Sequence, residues 1–363
     1  MHGGFHHNFS FETNGTTPGS ANHDQYSEKL ENIYQSVQPV LSWMLVVTGV
    51  IGIPGNVLTI MVFAKMGTAS AFQMSCTGLA VPDLLCVGAS MMCGITTMGV
   101  FRGAASQAAI SHLNNLVGGL PQVEFSRVTS LITAWISTVR CLSVAYPTKV
   151  RFIITRTVIS VALCIIFSLG CSFLLIASTV YRVKREFDPE TNSTVWTLDF
   201  QKNSKSSAFF QFLRFVFGLI LPVLSWVTVT VCTTFLIVKL KQNAKWKSQN
   251  AQVVTESSSS GAVPSKIKQK KELPERERRV MKVVILVAVI FLFCSVPMSA
   301  HLAASFTLPQ YKESGSLRHL FIMNGLVCVF MSQLNSSINI VLFAISGQNF
   351  RSALLSMFRV SKP

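Results

Sequence analysis

The stretch VEFSRVTSLITAWISTVRCLSVA, residues 123–145, decides how many times this chain crosses a membrane. It has the length of a span, yet Glu124, Arg127 and Arg140 interrupt it, and charge inside hydrocarbon is expensive enough to need a partner or a function. Six other stretches need no such argument: 39–63, 72–100, 158–180, 209–240, 280–306 and 320–345. Each offers the roughly 20 mostly apolar residues that about 30 Å of hydrocarbon requires. The seventh has to be settled by the sides on which the intervening loops lie.

Lysine and arginine supply that evidence. Residues 239–282 hold twelve basic and four acidic side chains, and Lys149, Arg151 and Arg156 stand unopposed by acids, so both regions are expected to face the cytoplasm. Three glycosylation sequons, at Asn8, Asn14 and Asn192, ask for the N-terminus and the loop after Val180 to be outside. An outside N-terminus followed by two crossings leaves residues 106–120 outside. Lys149 then demands another crossing, which only 123–145 can provide. Seven helices follow, with the C-terminus inside.

Composition agrees. Of 363 residues, 50% are apolar and 13% charged, with mean hydropathy +0.46. That profile sets soluble folds aside. The net charge of +16 would suggest nucleic-acid binding in a soluble protein. Here the excess lies mostly in one predicted cytoplasmic loop, where anionic lipid head groups are its natural counterpart and no nucleic acid is expected. The first ten residues, MHGGFHHNFS, lack the apolar core of a signal peptide, so the first span is expected to serve as the insertion signal. The early histidines are too unpatterned for a metal site and read as a polar tail. All nine cysteines fall within spans or at their ends, which favours buried thiols over a disulfide framework or a metal cluster.

The predicted organisation is an extracellular tail over 1–37, a seven-helix membrane domain over 38–346, and an amphipathic helix with a short cytoplasmic tail over 347–363. The cytoplasmic loop 241–278 separates spans five and six. Within it, TESSSSGAVPSK reads as mobile, either as a spacer or as a phosphorylation site. ERERRVMK then restarts a helix. In QNFRSALLSMFRV, Phe350, Leu354 and Phe358 recur every four residues, predicting a short interfacial helix with Arg351 and Arg359 toward lipid. No cysteine follows it to carry a palmitoyl anchor. No catalytic triad, phosphate loop or metal spacing supports an enzyme.

Several local motifs, in order along the seven spans, resemble those of rhodopsin-like G-protein-coupled receptors. Gly55-Asn56 with LTIMVF is similar to the GNxxV motif, and LAVPD ending at Asp83 to LAxxD. TVRCLSVAYPTK resembles the end of the third helix and the following loop: Arg140, Pro147 and Lys149 match, while Val139 and Cys141 depart from the acid and tyrosine that flank the family's arginine. This variant is similar to the ERCL type of molluscan peptide-like and chemosensory-like receptors. Pro222 matches the fifth-helix proline. Phe291 with CSVP, through Pro297, resembles the sixth-helix motif with Ser295 in place of tryptophan. NSSINIVLF resembles NSxxNPxxY with Ile340 and Phe343 replacing proline and tyrosine.

The resemblance implies an all-α membrane protein, a seven-transmembrane-helix bundle with a short amphipathic eighth helix, at the plasma membrane. It implies that an extracellular ligand activates a heterotrimeric G protein, with arrestin and kinases as further partners. It also gathers Asn56, Asp83, Thr129, Asn335, Ser336 and Asn339 into a polar core. There either a sodium ion, ligated by Asp83 with Thr129, Asn335 and Ser336, or a water-filled hydrogen-bond network is expected; otherwise no cofactor is. The cysteine expected near the start of span three is missing, so no disulfide ties the second extracellular loop to the bundle, and that loop should be less firmly held.

Gln122 stands where amine receptors carry an aspartate, and the seventh span has no lysine for a retinal Schiff base, which disfavours an amine receptor and an opsin. Glu124 and Arg127, three apart, are suited to an internal ion pair. Arg214 is then left for a carboxylate or other electron-rich ligand group. A small peptide or chemical cue is expected, in a pocket lined by Gln122, Ser126, Arg214, Met298, His301 and Gln333, although each of these has a structural reading as well. The switch set is Arg140, Pro147, Glu277, Phe291, Pro297 and Phe343. With Val139 beside it, Arg140 is expected to pair with Glu277 across the helices when the receptor is off. A seven-helix binding or trafficking protein that no longer couples is the competing reading; a transporter would show an internal repeat, which is absent from this sequence.

Overall fold

A computed structural model describes residues 18–67, 71–98, 110, 113–188, 193–200, 209, 212–213, 215–260, 275–312, 315–346 and 348–358. Among them, seven helices are long and apolar enough to cross a membrane. In chain order the elements are α1 (Pro18–Met66), α2 (Ala71–Thr97), α3 (Leu120–Ala145), α4 (Pro147–Ile153), α5 (Arg156–Val180), the hairpin β1 (Tyr181–Asp188) and β2 (Ser193–Phe200), α6 (Leu221–Ser260), α7 (Glu275–Thr307), α8 (Arg318–Ser346) and α9 (Gln348–Phe358). The weak stretch 123–145 is thus a full helix, and the bundle has its seventh member.

Two wide π turns, Asn115–Gly119 and Val216–Ile220, run directly into α3 and α6. Each stands just before a proline, Pro121 and Pro222. Proline lacks the N–H that would close the preceding turn, and its ring crowds the carbonyl four residues back; a widened turn relieves both. Glycine makes the first of them fit. A Cβ on Gly118 would come within 2.5 Å of the Cys93 sulfur, so only glycine lets the start of α3 lie this close to α2.

The core runs down the bundle axis. Leu79, Val128, Ile132, Ile136, Leu236, Met281 and Val284 join α2, α3, α6 and α7. Val62, Phe63, Cys76, Val283, Phe343 and Phe350 join α1, α2, α7, α8 and α9. α5 buries the smallest share of its span and turns Val161, Ile165 and Leu169 outward, as a lipid-facing helix must. α9 is held at one end of the bundle by Phe350 in the core and by Lys65 donating to Ser356 at 3.1 Å. Arg279 of α7 also donates to Gln348. Leu354 packs toward the bundle, whereas Phe358 is exposed, so only part of the expected apolar face is covered by protein. Arg359 lies outside the described residues.

Four features add to or amend these expectations. Helix α1 begins at Pro18, well inside the region expected to be a tail. Residues 20–38 contain no glycine or proline, and proline suits a first helical turn. Helix α6 runs to Ser260, through half of the expected loop. The run from Lys239 to Ser260 carries four lysines and three glutamines, good helix formers, and has no glycine or proline before Gly261. The loop after Val180 is an antiparallel hairpin, because YRVKREFD and STVWTLDF alternate β-branched and aromatic residues with polar ones. Finally, six of the nine free cysteines are buried, but Cys164 and Cys171 are exposed on α5.

Candidate functional site

The polar centre is built by three helices. Asp83, in the middle of α2, is fully buried. Thr129 of α3 donates its hydroxyl to Oδ1 at 2.9 Å, and Asn339 of α8 donates its amide to Oδ2 at 2.7 Å. The Ser336 hydroxyl lies beside the same carboxyl. Asn56 of α1 closes the cluster by donating to the Ser336 carbonyl at 3.0 Å and to the Gly52 carbonyl at 3.2 Å. Asn335, four residues before Asn339, is half-buried and makes no hydrogen bond to Asp83. Every polar group around the carboxylate is a donor or hydroxyl, which suits an acceptor-only anion.

One turn toward the other end lies a small cavity of about 30 Å³ between α3, α6, α7 and α8. Ser126 and Met298 line it, together with Arg127, Trp226, Ser295 and Ser332, which sequence reasoning did not place there. Ser295 was visible in the sequence as a missing tryptophan, and the smaller side chain helps to leave the space open. The Ser126 hydroxyl meets that of Ser332 at 3.4 Å. Glu124 and Arg127 form the expected ion pair, with Arg127 also over the Phe173 ring at 5.4 Å.

The remaining expected ligand residues separate. Gln122 is fully buried and neither its amide nitrogen nor its amide oxygen has a hydrogen-bond partner among the described residues. Gln333, also fully buried, donates to the Leu45 carbonyl at 2.8 Å while its own oxygen has no partner among the described residues. His301 is away from the cavity lining: its Nδ1 meets the Tyr311 hydroxyl at 2.8 Å, and its ring stacks on Phe321. Asn324 donates to the same hydroxyl at 2.9 Å. Tyr311 lies beyond the end of α7, where burial pushes its phenol pKa up and the Asn324 hydrogen bond partly offsets that. Arg214 lies outside the described residues.

At the α9 end, Arg140 occupies the last turns of α3 and Pro147 opens α4. Phe291 is buried with Ala134, Val229 and Ala288, one turn and a half before Pro297. Phe343 meets Phe63 edge-on at 5.4 Å and Phe350 at 5.8 Å, an aromatic triad that takes up the space around it. Glu277 is in the first turn of α7, but its side chain lies outside the described residues, as do Asn8, Asn14 and Asn192.

A fully buried carboxylate at mid-bundle, a cavity on one side of it and an arginine at the end of α3 on the other are accompanied by a family match. Residues 55–341 match the 7 transmembrane receptor (rhodopsin family). The chain belongs to that family. It is therefore a multi-pass membrane protein of the G-protein-coupled receptor class, and not an enzyme. For a rhodopsin-family receptor the geometry separates three layers along one bundle: cavity, polar centre and arginine. In the middle layer, Asp83 of α2 is hydrogen-bonded to both α3, through Thr129, and α8, through Asn339.

Proposed function

We propose that this receptor sits in the plasma membrane with its N-terminus outside, binds a small peptide or chemical cue, and activates a heterotrimeric G protein. The observation that carries the reading is the order of three polar features along one bundle: the Ser126–Ser332 pair beside the cavity, the Thr129–Asp83–Asn339 centre, and Arg140 at the end of α3. The Ser126 and Ser332 hydroxyls that line the cavity support a ligand with hydrogen-bonding groups. The basic segment 239–282 and the sequons at Asn8, Asn14 and Asn192 support the orientation. Ligand binding shifts a two-state bundle so that α6 and α7 open a cleft at the Arg140 end. Arrestin and kinases would then act on the same cytoplasmic face, with the serines at the end of α6 as acceptors.

The test is nucleotide exchange on purified G proteins of each class, using receptor in nanodiscs and a peptide and metabolite library. Exchange above that of empty nanodiscs, abolished in Arg140→Ala, is expected. The departures at Val139, Cys141, Ser295, Ile340 and Phe343 favour a second reading, a binding or trafficking protein that does not couple. Ligand binding without exchange on any class would select it.

Asp83 also fits a sodium ion. One buried carboxylate with the Thr129 and Ser336 hydroxyl oxygens is a donor set of hard oxygens, and a bound ion would neutralise a charge otherwise alone at mid-membrane. Asn339 turns its N–H toward Asp83, so it serves as a second donor to the carboxylate and not as a ligand. Sodium at tenfold over its dissociation constant stabilises by about 1.4 kcal/mol. A melting temperature higher by about 2–4 °C in sodium than in potassium chloride is therefore expected. Asp83→Asn should remove the difference; equal melting of the wild-type protein in both salts would leave the hydrogen-bond network without an ion.

A further inference from the structure

The switch arginine has an aromatic neighbour on α2. The Arg140 guanidinium carbon stands 4.5 Å from the centroid of the Phe72 ring, within the range in which a cation is drawn to the negative face of an aromatic quadrupole. Both residues are half-buried, so water screens the attraction only in part. Cys76, one turn further along α2, also lies in the field of the same guanidinium. Arg140 is thus laid along the end of α2 in this arrangement. Its sequence neighbour Val139 points elsewhere, into the core.

The ring is also tied to the helix that has to move. Phe72 packs against the cluster containing Val284 and against the cluster containing Val283 and Phe343. With those residues it lines a void of only about 10 Å³, too small and too apolar for water to stay. While α7 is closed, its valines keep one side of the ring dry and the ring in place under Arg140. When α7 swings out, that packing is lost and the ring and guanidinium are hydrated together, which weakens the attraction and frees the arginine to turn into the cleft.

We propose that Phe72 is the positioning residue of the switch: its ring holds Arg140 against α2 in the resting receptor and releases it when α7 opens. This rests on the proposed coupling to a G protein. Phe72 was not visible as a switch residue from sequence, because a phenylalanine at the start of an apolar span reads as core.

The test exploits the electronic origin of the contact. Fluorine withdraws charge from the ring face with little change in shape, so phenylalanine analogues with one, two and three fluorines at position 72 separate quadrupole from packing. Basal nucleotide exchange is expected to rise stepwise with each fluorine and by about fivefold in Phe72→Leu, with Phe72→Tyr close to wild type. Exchange that is flat across the fluorinated series would overturn the proposal and leave Phe72 a packing residue. A second readout is independent of any G protein: the distance distribution between spin labels at Thr148 in α4 and Lys282 in α7. A shift toward longer distances in Phe72→Leu supports the proposal even if no G protein responds, in which case the coupling alone fails; an unchanged distribution in that variant rejects the role of Phe72.

Discussion

Arg127→Ala is expected to cost about 3–5 kcal/mol of stability, among the largest effects of any single substitution in the bundle. The side chains of Arg127 and Glu124 are 13% and 2% exposed, and they pair across one turn of α3. Removing the arginine leaves the Glu124 carboxylate buried with nothing to repay its desolvation; its second oxygen already has no hydrogen-bond partner among the described residues. The loss also opens space beside Phe173 and Gly218, which Arg127 approaches. The double variant Glu124→Leu with Arg127→Met should recover most of the loss, because an apolar pair of similar volume needs no compensation. Thermal denaturation in nanodiscs measures both. Equal destabilisation by the single and double variants would mean that the two charges do not compensate each other. The pair also bears on recognition: a carboxylate ligand entering the cavity would meet a guanidinium already neutralised by Glu124. That keeps Arg214 as the candidate anion partner and makes Arg127 part of the cavity wall.

The same pair explains why α3 was the hardest span to read. Hydropathy charges each ionised side chain its full cost, whereas Glu124 and Arg127 share theirs. Loop charges recovered the span because they report on topology and not on burial. The other six spans were legible from apolar runs, as was α9 from Phe350 and Leu354. What was not legible depended on detail that spacing does not carry. Asn335 and Asn339 are four apart on one face of α8, and only the rotation of that helix decides that Asn339 meets Asp83 and Asn335 does not. The extension of α6 to Ser260 rests on side-chain propensity in a segment whose polarity resembles a loop. The π turns before Pro121 and Pro222 follow from proline chemistry once the helices are in place, but nothing in their residues requires them. Gln122, Ser126, Met298, His301 and Gln333 were all expected to line one pocket, yet of these only Ser126 and Met298 touch the cavity.

Asp83→Ala is expected to cost about 3–4 kcal/mol, through orphaned donors more than through lost bonds. The carboxylate takes the Thr129 hydroxyl on one oxygen and the Asn339 amide on the other. Both donors are at most 5% exposed, so water cannot replace the missing acceptor without a cavity to hold it. Asp83→Asn keeps the shape and one acceptor oxygen, but it turns an amide N–H₂ toward a donor; about 1–2 kcal/mol is expected. Because the three side chains form one network, the costs should not add. Thr129→Val should destabilise the wild-type protein by about 1 kcal/mol, and in the Asp83→Ala background it should be neutral or stabilising, since it then removes an orphan. A Thr129→Val penalty of the same size in both backgrounds would show that the hydroxyl is satisfied elsewhere and that Asp83 does not organise the centre. If the penalty vanishes as expected, Asp83 is the acceptor that ties the polar side chains of α3 and α8 to α2, beside the apolar packing between these helices. Movement of α3 or α8 away from α2 would then have to break one of its two hydrogen bonds.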